Sequence, residues 1–211
     1  MTYRLHSRYQ NSAGQRVRIV LNLKGVAYEY VPVPSASSPE YRAVNPQGLM
    51  PALEVDGQIV AQSMAIIALI DELHPAPALL PADPIERAKA RAFALLIAAD
   101  LHPLNTNRVR KYLAGPMELS DGKVAAWYRH WVATAFTSLE TALANRSIPT
   151  RFAFTDTPGL AEACVVPQMA NARRFGCDLA PYPRLVALDE ACRDLPAFAA
   201  AAPEAQVDFP G

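Results

Sequence analysis

A run of small polar residues stands where the first helix of this chain begins, and its chemistry suits an anion. Residues 7–18 read SRYQNSAGQRVR and lead directly into the apolar run IVLNL. The side-chain oxygens of Asn11 and Ser12 can accept hydrogen bonds from the N–H groups of a first helical turn. A helix N-terminus that faces a cleft also stabilises an anion, including a thiolate. The stretch is therefore either a helix cap alone or a cap that also takes part in chemistry.

Three further stretches contain residue types that could contact a ligand, and each also has a plain structural explanation. Pro51 in LMPAL is typical of a residue that begins a strand. Ser63 in AQSMA is typical of a helix cap. In DLHPLNTNRVRKY, Pro103 should kink a helix near His102 and leave a solvated polar face. The residue types alone do not decide between these explanations and a binding site.

The elements that must position these residues follow from two kinds of periodicity. Short β-branched and aromatic runs alternate with helical patterns before about residue 80, and only helical patterns follow. The first part predicts the order βαβ and then ββα, with Asp56-Gly57 as a hairpin turn. The proline-rich segment HPAPALLPADP predicts a stiff linker. The predicted elements before it are YRLHSR, SAGQRVRIVLNLKG, YEYVPV, PALEVDGQIVA and SMAIIALIDEL, and helices are expected after it at about 84–113, 122–145, 158–174, 183–193 and 195–201, followed by a surface extension.

The composition is that of an ordinary globular chain and disfavours several function classes. The chain has 211 residues, 51% of them hydrophobic, with 20 basic and 20 acidic residues. This zero net charge gives no general reason to expect nucleic acid or a membrane as partner. Cys164, Cys177 and Cys192 form no CxxC pair, so we expect neither a disulfide scaffold nor a metal site. We see no secretory signal in MTYRLHSRYQ and no run that could span a bilayer, and therefore expect a cytoplasmic location.

Seven segments spread over nearly the whole chain resemble, in order, the zeta class of glutathione transferases, which includes maleylacetoacetate and maleylpyruvate isomerases. They are RVRIVLNLKG, NPQGLMPALEVDG, QSMAIIALIDE, LLPADPIERAKAR, ADLHPLNTNRVRKYL, VVPQMANARRFGCDLAPYP and LPAFAAAAPEAQVDFPG. The resemblance implies the glutathione transferase fold, an α/β plus all-α architecture with a thioredoxin-like N-terminal domain (βαβ-ββα) and an all-helical C-terminal domain. The expected boundaries are 1–74 for the glutathione-binding domain, 75–83 for the linker and 84–211 for the substrate-binding and dimerisation domain. It also implies a homodimer with a substrate pocket between the domains.

The same resemblance implies a set of residues that bind glutathione. It makes Met50-Pro51 a cis peptide, with the Met50 backbone pairing with the cysteinyl unit of glutathione like an added strand. It makes Gln62 and Ser63 hold the γ-glutamyl carboxylate at the positive end of a helix. The full set implied to contact glutathione or substrate is Asn11, Ser12, Ala13, Gln47, Met50, Pro51, Gln62, Ser63, His102, Thr106, Asn107 and Arg108.

The resemblance also implies the catalytic residues, which are Ser12, Asn11, Arg108 and Arg173. When the RVR segments are aligned, Asn11 stands where the family has the first of two serines, the one assigned to thiolate activation. Ser12 stands at the second. The Asn NH₂ donates a hydrogen bond as a hydroxyl does. One arginine of the pair Arg173 and Arg174, with Arg173 favoured, would bind a substrate carboxylate, although such a pair commonly just complements the helix dipole.

The implied activity is glutathione-dependent cis–trans isomerisation of a maleyl compound, maleylpyruvate or maleylacetoacetate, to its fumaryl isomer. Glutathione acts as a cofactor, because its thiolate adds to the double bond and leaves after rotation. Two alternatives stay open: a transferase that conjugates or dehalogenates small electrophiles, and a non-catalytic glutathione-binding protein. Asn11 in place of serine favours these, whereas Arg108 and Arg173 favour the dianionic substrate of an isomerase. The stretch PLNTNRVR also departs from the family's PLNNLRVL at Thr106, Asn107 and Arg110.

Overall fold

The computed structural model describes residues 1–146 and 149–210 and divides the chain into two compact units. The first unit contains Met1–Leu79 together with the C-terminal segment that begins at Arg193, and the second unit contains Leu80–Cys192. Gly211, the last residue of the predicted second domain, lies outside the described residues. The thioredoxin-like and helical parts of the predicted fold are confirmed.

The first unit is a four-stranded mixed sheet with helices. Its sheet has the order β2-β1-β3-β4, in which β1 and β2 are parallel and the other pairs are antiparallel. Asp56 and Gly57 both have positive φ values, 46° and 83°, as the predicted two-residue hairpin turn requires. The elements are β1 (Tyr3–Ser7), α1 (Ser12–Leu23), β2 (Glu29–Pro32), α2 (Pro39–Val44), β3 (Ala52–Val55), β4 (Gln58–Ala61), α3 (Ser63–Leu73) and, near the C-terminus, α10 (Pro196–Ala199).

A short helix in this unit was not predicted. Helix α2 begins after Ser38, whose side chain accepts the backbone N–H of Tyr41, with Pro39 in the first turn. A serine cap followed by proline is a standard helix start. The helix is only six residues long, so its periodicity is too short to recognise in the sequence.

In the part of the second unit that the structure describes, the regular elements are all helices. The predicted helices near 122–145, 158–174 and 183–193 are confirmed to within one or two residues. Its elements are α4 (Pro84–Leu95), a π-helical turn (Leu96–Leu101), α5 (His102–Leu104), α6 (Asn107–Ala114), α7 (Asp121–Ala144), α8 (Leu160–Arg174) and α9 (Pro183–Arg193). Among the described residues of the whole chain, no helix is long and apolar enough to cross a membrane.

The expectation of one continuous helix over 84–113 is wrong, because several shorter elements occupy this range. The predicted irregularity beside His102 is confirmed. The N–H of His102 bonds to the carbonyl of Ile97, five residues back, so a wide turn directly precedes Pro103. Proline has no N–H to continue a regular helix. A second break follows at Asn105, which is buried and donates its amide to the Tyr128 carbonyl. Helix α6 then restarts after Thr106.

The C-terminal segment packs with the first unit, which differs from its expected place in the second domain. Arg18 and Asn22 of α1 explain the difference. The fully buried Arg18 donates through Nε to the Ala201 carbonyl at 3.0 Å, and Asn22 donates to the Ala197 carbonyl at 2.9 Å. Because a buried guanidinium must have hydrogen-bond acceptors, these bonds hold the segment against α1.

Candidate active site

The register of the sheet brings the predicted glutathione residues of the first unit to one end. His6 pairs with Ala52, and Ala52 pairs with Ala61. The end of β1, the start of β3 and the end of β4 therefore lie side by side. The loop before α1, the Met50-Pro51 peptide and the first turn of α3 extend from these three strand ends, and that peptide is cis, as the resemblance implied.

Asn11 is the N-cap of α1. Its backbone is extended, its side-chain oxygen accepts the Gly14 N–H, and its own carbonyl accepts the Gln15 N–H at 2.8 Å. Since the amide oxygen faces an N–H group, the amide nitrogen is the group left to donate. Ser12 is the first helical residue and is half-buried, and Ala13 is buried. The capping role therefore belongs to Asn11 rather than to Ser12.

Gly14 permits a close approach between the first turn of α1 and the end of β1. A Cβ on Gly14 would lie 2.0 Å from Ser7 Oγ and 2.9 Å from Asn11 Oδ1. Ser7 is completely buried, and its Oγ has no hydrogen-bond partner among the residues that the structure describes. A larger residue at position 14 would therefore displace the cap itself.

A side-chain hydrogen bond connects the start of α3 to a neighbouring loop. Gln62 Nε2 donates to Gln47 Oε1 at 2.8 Å, which joins the loop before β3 to the loop before α3. Gln62 has a φ of 73°, an unusual conformation for a residue other than glycine, and its side chain does not cap α3. Because Gln62 pairs with Gln47, the first-turn N–H groups of α3 receive no cap from it.

A buried arginine, Arg16, lies next to the Ser63 hydroxyl. Arg16 is 1% exposed, and its Nη1 lies 3.5 Å from Ser63 Oγ. A guanidinium and a helix N-terminus both favour a negative charge nearby. Arg16 was not among the predicted site residues. The sequence does contain a sign of a buried arginine, because Arg16 and Arg18 stand among apolar residues in RVRIVL.

The remaining predicted residues lie in the second unit. His102 begins α5, Thr106 is the N-cap of α6, and Asn107 and Arg108 are exposed in the first turn of α6. Thr106 donates its hydroxyl to the Pro103 carbonyl at 3.3 Å and does not cap α6 with its side chain.

Arg173, the predicted carboxylate-binding residue, has a partner inside the protein. Its Nη2 lies 2.6 Å from Asp189 Oδ2, and the Asp189 side chain is 1% exposed. The neighbouring Arg174 is exposed and lies over the ring of Phe175 at 5.3 Å. Among the described residues, Arg174 forms no ion pair with an acidic side chain. Arg174 is therefore the freer of the two cations.

Arg110 joins α6 to the end of α8. Its guanidinium carbon lies 4.4 Å from the centre of the Phe175 ring and 5.9 Å from that of Tyr128, and it donates to Asn107 Oδ1. Burial lowers the pKa of Arg110, and the positive charge of Arg174 acts in the same direction. Two like charges thus share one apolar surface, an arrangement that an anion would stabilise.

Comparisons with known proteins identify the family to which the chain belongs. A family profile described as glutathione S-transferase, N-terminal domain, matches residues 5–78. A maleylpyruvate isomerase of Ralstonia sp is 42% identical over 97% of this chain and 99% of its own length.

Solved structures match over nearly the full length of the chain. The holo structure of a maleylpyruvate isomerase, described as a bacterial zeta-class glutathione S-transferase, has a TM-score of 0.94 and 42% identity, covering 97% of this chain and 99% of that one. The maleylacetoacetate isomerase of Methylobacterium extorquens AM1, solved with bound malonate and glutathione, has a TM-score of 0.93 and 35% identity over 99% and 100% of the two chains. The present chain therefore belongs to the zeta class of the glutathione transferase family, with the maleylpyruvate and maleylacetoacetate isomerases.

Proposed function

We propose that this protein is a glutathione-dependent isomerase that converts a maleyl compound, maleylpyruvate or maleylacetoacetate, to its fumaryl isomer. The observation that carries the proposal is the 42% identity to a maleylpyruvate isomerase over 97% of the chain, together with three first-unit segments that meet at one sheet end. We further propose, on the family resemblance, that it is a cytoplasmic homodimer.

The donors at this sheet end fit glutathione, a peptide with two carboxylates and a thiol. The first turn of α3, Ser63 and the buried Arg16 form a positive environment suited to the γ-glutamyl carboxylate. Gln62, held by Gln47, is placed to contact the same group. Met50 lies just before β3, where its backbone can pair with an extended peptide.

The start of α1 fits the thiol. The nitrogen of the Asn11 amide and the Ser12 hydroxyl are hydrogen-bond donors, and the helix N-terminus adds a partial positive charge. Donors of this kind stabilise a thiolate relative to a thiol whose ordinary pKa is about 8.5. When bound, glutathione supplies the nucleophilic thiolate that the reaction requires.

The second unit supplies the cations for a substrate with two carboxylates. We propose Arg108 and Arg174 for this role, with Arg110 as a third cation, and assign Arg173 to the Asp189 pair. Arginine pairs with carboxylates through two parallel hydrogen bonds and so orients them. His102, Thr106 and Asn107 remain proposed contacts to glutathione or substrate.

The second candidate is a transferase that consumes glutathione, and Asn11 in place of the family's serine is the observation that favours it. One assay separates the two. The protein is incubated with maleylpyruvate or with maleylacetoacetate, with and without glutathione, and both the fumaryl product and the remaining glutathione are measured.

Catalytic formation of the fumaryl isomer with no loss of glutathione is the expected result. Stoichiometric loss of glutathione would identify a transferase. If calorimetry detects no binding of millimolar glutathione to the folded protein, both enzymatic proposals are wrong.

A further inference from the structure

The C-terminal tail contacts the loop that leads into the cap of α1. Asp208 Oδ2 accepts the backbone N–H of Tyr9 at 3.0 Å, and Asp208 Oδ1 accepts the Tyr30 hydroxyl at 3.0 Å. The Phe209 ring meets the Tyr9 ring edge-on, with 5.5 Å between their centres. The tail is therefore attached both to the β2 strand, through Tyr30, and to the loop, through Tyr9.

The buried Arg18 also links the C-terminal segment to the loop before α1. Its Nε donates to the Ala201 carbonyl at 3.0 Å, and its Nη2 donates to the Tyr9 carbonyl at 3.1 Å. Its Nη1 lies 3.4 Å from the Arg8 carbonyl. Burial lowers the pKa of Arg18, which the negative charge of Asp208 opposes. Both backbone polar groups of Tyr9 therefore have partners. Its N–H donates to Asp208, and its carbonyl accepts from Arg18, which also donates to Ala201 of the C-terminal segment.

Only one residue, Gln10, separates this doubly held Tyr9 from Asn11. The position of Tyr9 consequently restricts where the Asn11 carboxamide lies, and with it the donors of the first turn of α1. Only Asp208 and Phe209 of the described tail make the contacts given above. The preceding residue, Val207, is 83% exposed, whereas Asp208 is half-buried and makes two hydrogen bonds.

We propose that Asp208 is a positioning residue for the glutathione thiol site, acting through Tyr9 on the cap formed by Asn11. The inference rests on the proposed function for its relation to glutathione, but its structural part concerns the free protein. A carboxylate is suited to the task because its two oxygens accept two hydrogen bonds at once, from the loop and from the sheet.

The test compares Asp208→Ala with Asn22→Ala. The second variant is the matched control, because it also removes one hydrogen bond to the C-terminal segment, from Asn22 to the Ala197 carbonyl, but does not touch the loop. The first readout is hydrogen exchange of the Gly14 amide in the free protein. This amide bonds to Asn11 Oδ1, whereas Asp208 bonds to Tyr9 and Tyr30, so the exchange of the Gly14 amide reports the cap.

The second readout is calorimetric binding of glutathione, and the third is the pKa of its bound thiol, read from thiolate absorbance. We expect Asp208→Ala to speed Gly14 exchange and to weaken glutathione binding, each about tenfold, as the loss of a charge-assisted hydrogen bond implies. The pKa of the bound thiol should rise. Asn22→Ala should lower the melting temperature but leave all three readouts within about twofold of the parent.

Asp208→Asn provides the rescue. Its amide oxygen can still accept the Tyr9 N–H while its NH₂ donates to the Tyr30 oxygen, so we expect values close to those of the parent protein. The proposal is overturned if Asp208→Ala and Asn22→Ala give the same Gly14 exchange and the same glutathione affinity. It is equally overturned if Asp208→Asn is as impaired as Asp208→Ala. Failure of the parent protein to bind glutathione would contradict the proposed function instead, and the Gly14 comparison would still decide the positioning role.

Discussion

Arg173 and Asp189 form an ion pair, with Arg173 Nη2 2.6 Å from Asp189 Oδ2. The carboxylate belongs to α9 and is buried, whereas the Arg173 side chain is 36% exposed. Burying a carboxylate is costly unless a cation or hydrogen bonds compensate it. Arg173 therefore links α8 to α9, and Arg174 is the arginine that we propose for the substrate carboxylate.

The first prediction separates these two neighbours. Arg173→Ala should lower the free energy of unfolding by about 1–2 kcal/mol, since the pair is buried on one side and screened by solvent on the other. Arg174→Ala should leave stability nearly unchanged and raise the KM for the dicarboxylate substrate about tenfold. Chemical denaturation and steady-state kinetics measure the two effects. The assignment is wrong if Arg173→Ala is the variant with the larger KM and unaltered stability.

The second prediction concerns Arg110, where the zeta class more often has leucine. Arg110→Leu should weaken binding of the dicarboxylate several-fold and leave glutathione binding unchanged, because it removes a cation that shares the Phe175 surface with Arg174. Arg91→Leu on an exposed position of α4 is the control, since it changes the net charge equally. Equal effects of the two variants would show that only long-range charge matters.

The third prediction tests the start of α1. Asn11→Ala should cost about 1 kcal/mol of stability through loss of the cap and should raise the pKa of bound glutathione. Asn11→Ser should retain both properties, because one hydroxyl can accept the Gly14 N–H and donate its proton. Ser12→Ala should raise the thiol pKa and slow turnover at neutral pH. If Ser12→Ala alters only folding stability, Ser12 takes no part in activating the sulfur.

The fourth prediction concerns the contact between Gly14 and Ser7. Gly14→Ala should destabilise the protein by about 1–3 kcal/mol, because the added Cβ overlaps Ser7 Oγ and crowds Asn11 Oδ1. Ser7→Ala alone should be neutral or stabilising, since it removes a buried hydroxyl that has no partner among the described residues. The double variant should recover part of the loss in thermal denaturation. If the double variant is no more stable than Gly14→Ala, the destabilising contact is the one with Asn11 instead.

The fifth prediction is a loss of stability at alkaline pH that depends on Tyr128. Burial raises the pKa of Tyr128 to about 12. An unfolded tyrosine ionises near pH 10, so between about pH 10 and 12 the unfolded state has released a proton that the folded state retains. Stability therefore falls as pH rises through this window, by about 2 kcal/mol for this residue. Tyr128→Phe should lack that part of the fall when urea unfolding is compared across the window, and identical pH profiles would contradict the assignment.

Much of the fold could be predicted from the sequence because its signals are local. The hairpin turn at Asp56-Gly57, the cap and periodicity of α1, and the proline beside His102 each depend on a few adjacent residues. The division of the long helix at Asn105 could not be predicted in this way. It depends on a hydrogen bond to the Tyr128 carbonyl, 23 residues further along the chain.

The sequence by itself determined the family, most of the order of the elements and the residues that lie at the start of α1, β3 and α3. Only the tertiary structure decided which polar groups have partners. Arg173 pairs with Asp189, and Arg174 and Arg110 both contact the Phe175 ring. Arg16 lies next to Ser63, and Asp208 accepts a hydrogen bond from Tyr9, 199 positions away in the sequence. The reason is physical: a buried charge takes whichever partner packing brings within about 3 Å, and that partner's distance along the chain leaves no local pattern.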